Sequence, residues 1–383
     1  MSSNSRDTEE KMKEIVLGKS GIRTVQNAFG VLPIQRVDME TAVKILRRAW
    51  EGGIRFYDTA RDYTDSESKL GAAFFGGEGG SESDEGSGSG DVRTASGGWL
   101  EAQGFSRADI IIATKTHSKN PEGFRMDLQR SLSELNTPYV DIYQFHQAQQ
   151  CYRPGDGSGM YECMLEAREQ GLIRHIGLTS HRWDVAMEAA ASGLYETVQY
   201  PFSYLSAERD MELVQRCREN NVGFIAMKAL SGGLITRSDA AMAFMTQFDH
   251  VLPIWGIQRE RELEEFLSYM KEPPVLTEEL RSLIEADRRE LSGDFCRACG
   301  YCLPCPAGIV INQCARMSLL LRRMPYEAWL SEKWQGEGKK IEGCLNCRQC
   351  ASRCPYGLNT PELLKKNYED YKRVLAGEVK VSV

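Results

Sequence analysis

Met39–Asp58 reads METAVKILRRAWEGGIRFYD, and this stretch decides the fold. Ala42, Val43, Leu46 and Trp50 recur at helical spacing and give a helix one apolar face, which Gly52 and Gly53 stop. A short apolar run, Arg55–Asp58, follows at once and has the length and composition of a buried strand. The same alternation recurs from residue 25 to residue 270. Strands are predicted at Val25–Gly30, Arg55–Asp58, Asp109–Thr114, Tyr139–His146, Ile173–Thr179, Thr197–Pro201, Gly223–Met227 and Val251–Trp255, with amphipathic helices between them. Eight such units predict a closed (β/α)8 TIM barrel rather than an open sheet. In such a barrel chemistry gathers where the strands end at their C-terminal edge.

At 383 residues, one large domain plus a smaller one is the natural division. The barrel is expected over residues 1–276, a linker helix over 277–292 (from TEELRSLIEADRREL, Thr277–Leu291), and a smaller, mainly helical module over 293–383. Residues 76–104 interrupt the barrel with GGEGGSESDEGSGSGD, a Gly/Ser/acidic tract too poor in apolar surface to order itself, and predict a mobile surface insertion. Its glycines are no dinucleotide fingerprint, because no strand leads into them and no helix opens on them. Hydrophobic residues make up 42% and charged residues 26%, enough apolar material for a large core. No apolar run is long enough to span a bilayer, so no membrane partner is expected. The opening MSSNSRDTEEKMKE lacks the basic-then-apolar order of a secretory signal, which predicts a cytoplasmic location.

Eight of the twelve cysteines lie in two compact groups: Cys296, Cys299, Cys302 and Cys305 before Pro306, and Cys344, Cys347, Cys350 and Cys354 before Pro355. The other four, Cys151, Cys163, Cys217 and Cys314, are scattered. Clustered cysteines in a cytosolic protein point to metal rather than disulfides. Structural zinc would use two C-x2-C knuckles; four cysteines in one run closed by proline are an iron–sulfur pattern. C-x2-C-x2-C lets three thiolates of one turn grip a cubane, and a fourth must come from elsewhere. The module resembles a two-cluster ferredoxin, in which the Cys before Pro serves the other cluster. That resemblance implies two [4Fe–4S] clusters, one on Cys296, Cys299, Cys302 and Cys354, the other on Cys344, Cys347, Cys350 and Cys305, with Cys314 as a substitute. From Cys296 onward fourteen Lys/Arg stand against eight Asp/Glu, although the whole chain carries −7. Anionic clusters call for nearby cations, so this basic character predicts no nucleic-acid partner.

FYDTARDYTDSESKLG (Phe56–Gly71) resembles the signature of the aldo-keto reductase family, in which an Asp ends the second strand and a Tyr lies five residues on. Asp58 and Tyr63 match, IIATKTH offers Lys115 after the third strand, and DIYQFHQ offers His146 after the fourth. The resemblance implies that these four form the family's catalytic tetrad. Hydride transfer to a carbonyl leaves an alkoxide that needs a proton, and a tyrosine with a pKa near about 10 is a poor acid at neutral pH. A lysine beside it is expected to lower that pKa, an aspartate to hold the lysine charged, and the histidine to orient the carbonyl oxygen.

The same resemblance implies NADP(H) or NAD(H). Thr179, Ser180 and Gln199 stand near the places that hold the nicotinamide carboxamide, without the usual asparagine. Met227, followed by Lys228, stands where an aromatic ring stacks on the nicotinamide. Gln258, Arg259 and Glu265 stand in the phosphate-binding segment, with Phe266 in place of its asparagine. GYCLPCPAGI and MKALSGG resemble the subgroup of such barrels fused to cluster modules. The expected function is therefore an iron–sulfur oxidoreductase acting on a small carbonyl or enone. Its electrons would come from NAD(P)H or pass through the clusters, with a ferredoxin or another electron-transfer protein as partner. The competing expectation is an electron carrier or redox sensor in which the barrel is mainly a scaffold.

Overall fold

The computed structural model describes residues 12–76, 98–291 and 295–381. The chain divides into two compact units: Met1–Tyr200, Ala207–Met227 and Met245–Val275 in the first, Pro201–Ser206, Lys228–Phe244 and Leu276–Val383 in the second.

In the first unit a hairpin of β1 (Glu14–Val16) and β2 (Arg23–Val25) precedes eight strands: β3 (Ala28–Gly30), β4 (Phe56–Asp58), β5 (Ile111–Thr116), β6 (Val140–Phe145), β7 (Ile173–Thr179), β8 (Thr197–Pro201), β9 (Gly223–Met227) and β10 (Val251–Gly256). These eight close into a barrel in the order β10-β3-β4-β5-β6-β7-β8-β9. The fold is the (β/α)8 barrel that the alternation predicts. Its first strand differs from the expectation, because Val25–Gly30 is divided. Gln26 and Asn27 are fully buried, and their amides donate to the carbonyls of Phe248, Val251 and Phe266. This polar pair turns the chain from the hairpin into the barrel. The strands come close at Gly30: a Cβ there would stand 3.1 Å from the Trp255 carbonyl oxygen, so the register Gly256↔Gly30 favours a glycine.

Apolar side chains fill the early part of the strands. Ile15 and Leu17 pack with Ala28, Phe56, Ala113, Ile142, Ile225 and Leu252. The buried polar side chains Asp58, Lys115, Gln144 and Gln199 come later along their strands. The helix Met39–Glu51 starts on Asp38, whose Oδ1 accepts from the Thr41 N–H at 2.8 Å, and buries Ala42, Ile45, Leu46, Ala49 and Trp50. Val43, expected on that face, is only half-buried; the tighter i, i+3, i+4 stripe takes its place.

Of the expected insertion, residues 77–97 lie outside the described residues. At its C-terminal end residues 98–100 are tucked in, whereas residues 101–104 lie at the surface. Trp99–Ala102 is a short helix, Leu100 is buried, and Trp99 meets the Trp50 ring edge-on at 5.5 Å.

The second compact unit takes in more of the chain than residues 293–383. The expected linker is the helix Glu278–Glu290, capped by Thr277, but it is built into this unit: Leu280 and Ile284 are buried and Asp287 accepts from Tyr204 and Arg323. Two segments that leave the ends of β8 and β9, Pro201–Ser206 and Lys228–Phe244, belong here too. The core gathers Cys296, Cys302 and Cys350 with Ile309, Ile311, Met317, Leu321, Leu364 and Tyr371. The long helix Thr360–Leu375 is tied to Met317–Arg323 by a two-pronged Arg322–Asp370 pair at 2.6 and 2.9 Å. No helix among the described residues is long and apolar enough to cross a membrane.

Candidate active site and cysteine module

Parallel neighbours bring strand ends together, so residues far apart in sequence meet after β4, β5 and β6. Asp58 ends β4 and Lys115 lies in β5, with Lys115 Nζ 2.7 Å from Asp58 Oδ2 and 2.6 Å from the Thr59 carbonyl. Both are buried. Burial pushes Asp58 up and Lys115 down, each opposed by the other's charge. Tyr63 lies in the turn after β4, with Lys115 Nζ 5.4 Å from its ring centre and the His146 ring 5.6 Å away. The four expected residues are therefore neighbours.

A relay of amides backs the pair. Gln144 donates to Gln199 at 2.9 Å, and Gln199 donates to Asp58 at 3.3 Å. Gly177 makes room for it: a Cβ there would stand 2.9 Å from the Gln144 side chain. Asp58 Oδ1, Gln144 Oε1 and His146 Nδ1 are buried without a partner, the kind of polar atom a bound ligand satisfies.

One expectation is corrected. The Tyr63 phenol is pushed up from its ordinary value, first by burial and then by the carboxylates Asp58 and Asp62. Lys115 sits against the face of the ring, and its charge is matched by Asp58 at 2.7 Å. His146 is held neutral, burial being the main cause, with His117, Lys115 and His181 adding to it.

Several site residues escaped the sequence reading. His117 lies against His146, ring centres 4.1 Å apart and tilted by 48°, and pairs with Asp62 at 3.1 Å, yet stands only two residues after Lys115 in the quoted IIATKTH. Arg61 and Glu67 form a buried ion pair, with Arg61 reaching Glu134 at 2.7 Å and Glu67 accepting from Thr114 at 2.5 Å. They belong to the same FYDTARDYTDSESKLG motif, Arg61 in the turn that carries Tyr63 and Glu67 in the first turn of the helix Ser66–Phe74 that follows it.

The expected nicotinamide residues are engaged locally. Thr179 Oγ1 accepts from the Gln147 N–H, and Ser180 donates to the Ala148 carbonyl and accepts from the Arg182 N–H, so the two brace the loop after β6. Gln199 serves Asp58. Met227 packs on the apolar barrel interior. Lys228 departs from the expectation: its ammonium donates to the carbonyls of Arg297 and Ala298 at 2.8 and 3.0 Å, inside the first cysteine turn. Gln258 and Arg259 precede the helix Glu260–Lys271, where Glu262 already accepts from both of their N–H groups at 3.1 Å. Glu265 is exposed on that helix, and Phe266 stacks on Trp255 at 4.6 Å, a core position no asparagine could fill.

The cysteines gather in the second unit. Cys302, Cys305, Cys344, Cys347 and Cys350 line one cavity. The Cys354 charge bears on Cys296 and Cys299. Both crossed ligands are thus close to the opposite group. Burial pushes Cys296, Cys299 and Cys302 up, the last to about 12, so these thiols ionise when a metal takes the proton's place. Soft thiolate donors of this kind, five around the cavity and Cys296, Cys299 and Cys354 near one another, suit two cubane clusters. Cys314 is fully buried with Met317 and Tyr371, a core thiol rather than a substitute ligand.

A family model described as "Aldo/keto reductase family" matches residues 14–275. The chain belongs to the aldo/keto reductase family. A second model, a 4Fe-4S dicluster domain, matches residues 295–359 of this aldo/keto reductase. The reductase is 24% identical over 342 residues to the uncharacterized oxidoreductase YrpG of Bacillus subtilis, spanning 78% of this chain and 98% of that one. It is 25% identical over 243 residues to L-galactose dehydrogenase of Arabidopsis thaliana, spanning 59% and 68%. Among solved structures, an aldo-keto reductase of Bacillus halodurans in its holo form shares the fold at 21% identity and a TM-score of 0.57, over 72% of this chain and 96% of that one. The chain is an oxidoreductase with an iron–sulfur module.

Two pairs of variants probe that module. Cys354→Ser is expected to remove one cluster and about half of the iron and sulfide. Adding Cys296→Ser should cost no further iron if the ligands cross, and the rest of the iron if they do not. Lys228→Met removes a cation that favours the reduced, more negative cluster. An EPR-monitored redox titration should show one potential more negative by about 59 mV, a tenfold change in the reduced-to-oxidised ratio. Lys228→Arg should restore most of it.

Proposed function

We propose that the reductase converts a small organic carbonyl or enone to its reduced partner with Tyr63 as the general acid, and that NAD(P)H, the clusters or both carry its electrons. The buried Lys115–Asp58 pair at 2.7 Å beneath Tyr63, with His146 5.6 Å from the phenol ring, carries this reading. Bound nicotinamide supplies a hydride, and bound clusters supply single electrons. Neutral His146 donates a hydrogen bond to the substrate oxygen and orients it. Tyr63, kept protonated by burial and by Asp58 and Asp62, gives its proton to the oxygen as charge develops there. Lys115 and Asp58 fix the polar floor, and Gln199 and Gln144 hold Asp58 in place. A raised phenol favours reduction, which needs the proton present, over oxidation, which needs it absent.

Arg259 and the start of the helix Glu260–Lys271 would hold the cofactor phosphate, displacing Glu262. A relative named L-galactose dehydrogenase supports a small carbonyl or alcohol as the substrate class. The test is turnover of a panel of small aldehydes, ketones and enones by anaerobically purified protein, with NADPH and with reduced ferredoxin as alternative donors. Each is paired with a redox titration of the clusters with and without substrate. Cluster potentials that move with substrate support the shared electron route. Independence of the two sinks it and leaves a nicotinamide-only reductase.

A further inference from the structure

Among the described residues, one set of three side chains brings metal-ligand atoms together: Asp62, His117 and His146, whose donor atoms all lie within 4.8 Å of one another. We propose that these three residues form a zinc-binding site at the C-terminal edge of the barrel, outside the cysteine module, and that zinc there switches the reductase off.

Topology builds the set. Asp62 lies in the turn after β4, His117 follows the last residue of β5, and His146 follows the last residue of β6. These are three adjacent parallel strands, and β5 and β6 pair Thr116 with Phe145, so the two histidines leave the sheet side by side. Their rings stand 4.1 Å apart, and His117 Nε2 is 3.1 Å from Asp62 Oδ2.

Tetrahedral zinc with bonds of roughly 2.0–2.1 Å sets its ligand atoms roughly 3.3 Å from one another. The Asp62–His117 edge already has that length, and only His146 must close in. Two imidazoles and one carboxylate suit a borderline cation such as zinc and are a poor set for magnesium or calcium, which want oxygen ligands. Zinc takes the place of the Asp62–His117 hydrogen bond: the neutral imidazole moves its proton from Nε2 to Nδ1 and offers Nε2 to the metal. Three protein ligands leave a fourth position for water. The consequence for turnover rests on the proposed role of His146: once it ligates zinc, it no longer orients a substrate oxygen.

The test uses anaerobically purified, cluster-loaded protein without substrate, dialysed against zinc chloride at micromolar free zinc, with zinc and iron measured per chain. Wild type should take up one zinc with no loss of iron. His117→Ala should weaken that uptake at least tenfold at unchanged iron content. Asp62→Asn, a change at an exposed side chain, should do the same and covers the case in which His117→Ala fails to fold. Equal uptake by wild type and both variants, uptake matched by iron loss, or no uptake at all would each overturn the proposal. Binding is read without turnover, so a failure of the reductase reading leaves this result standing. Where turnover is found, zinc should inhibit wild type and spare Asp62→Asn at the same free concentration.

Discussion

Tyr63→Phe is expected to lower turnover about 10²- to 10⁴-fold, the usual contribution of a positioned proton donor, while the protein keeps its iron. The substitution removes one oxygen and keeps the ring that faces His146 at 5.6 Å and Lys115 at 5.4 Å, so packing around the site is retained. Single-turnover reduction under anaerobic conditions, alongside iron and sulfide analysis, measures both quantities. A variant that passes electrons from its clusters to an acceptor as fast as wild type, and whose wild-type parent turns over no carbonyl, would instead describe an electron carrier on a barrel scaffold.

The pH profile of the same reaction carries further information. The Tyr63 phenol lies above its ordinary value, so the proton donor stays loaded through the neutral range and beyond the usual tyrosine value of about 10. Reductive turnover should show no loss attributable to Tyr63 between neutral pH and about pH 9, whereas the reverse oxidation should rise with pH as the phenolate becomes accessible. A reductive profile that falls with a midpoint near neutrality, and loses that midpoint in Tyr63→Phe, would show the opposite shift.

The barrel and the proximity of Asp58, Tyr63, Lys115 and His146 were legible because both rest on local pattern. Strand length, apolar periodicity and one motif per strand end placed Asp58, Lys115 and His146 without knowledge of distances. The hairpin β1–β2 was not legible: its strands have three residues each, and the turn into the barrel depends on Gln26 and Asn27 finding carbonyls more than two hundred residues away. Lys228 was misplaced for a related reason. By position it follows the seventh barrel strand, where the family meets its nicotinamide, but its hydrogen bonds go to Arg297 and Ala298. Position along a strand is a local quantity, whereas the partner of a long side chain is set by the fold. The direction of the Tyr63 shift was missed because the aspartate was weighed as the holder of the lysine's charge and not as a charge that offsets it at the phenol. A matched pair exerts little net field on a third group, and burial then dominates.

Arg61→Met is expected to lower the stability of the barrel by about 3–5 kcal/mol, the usual effect of removing one partner from a buried ion pair. Arg61 and Glu67 side chains are 8% and 0% exposed, so no water can replace the lost charge. Glu134, the second partner of Arg61, is 20% exposed and keeps Arg130 at 2.8 Å; Glu67 is left with the uncharged hydroxyls of Thr114 and Ser131. The deficit should therefore sit on Glu67. Its carboxyl already lies above the ordinary range because burial outweighs the opposing Arg61 charge, and loss of that charge raises it further. A carboxyl with a raised folded pKa binds its proton more tightly in the folded state, so stability falls as pH rises through that pKa. Urea unfolding should accordingly show a larger deficit for Arg61→Met at pH 8 than at pH 5, and Glu67→Gln in the same chain should recover most of the loss at pH 8. An equal deficit at both pH values, unrelieved by the second substitution, would place the loss in packing around the Tyr63 turn rather than in an uncompensated carboxylate.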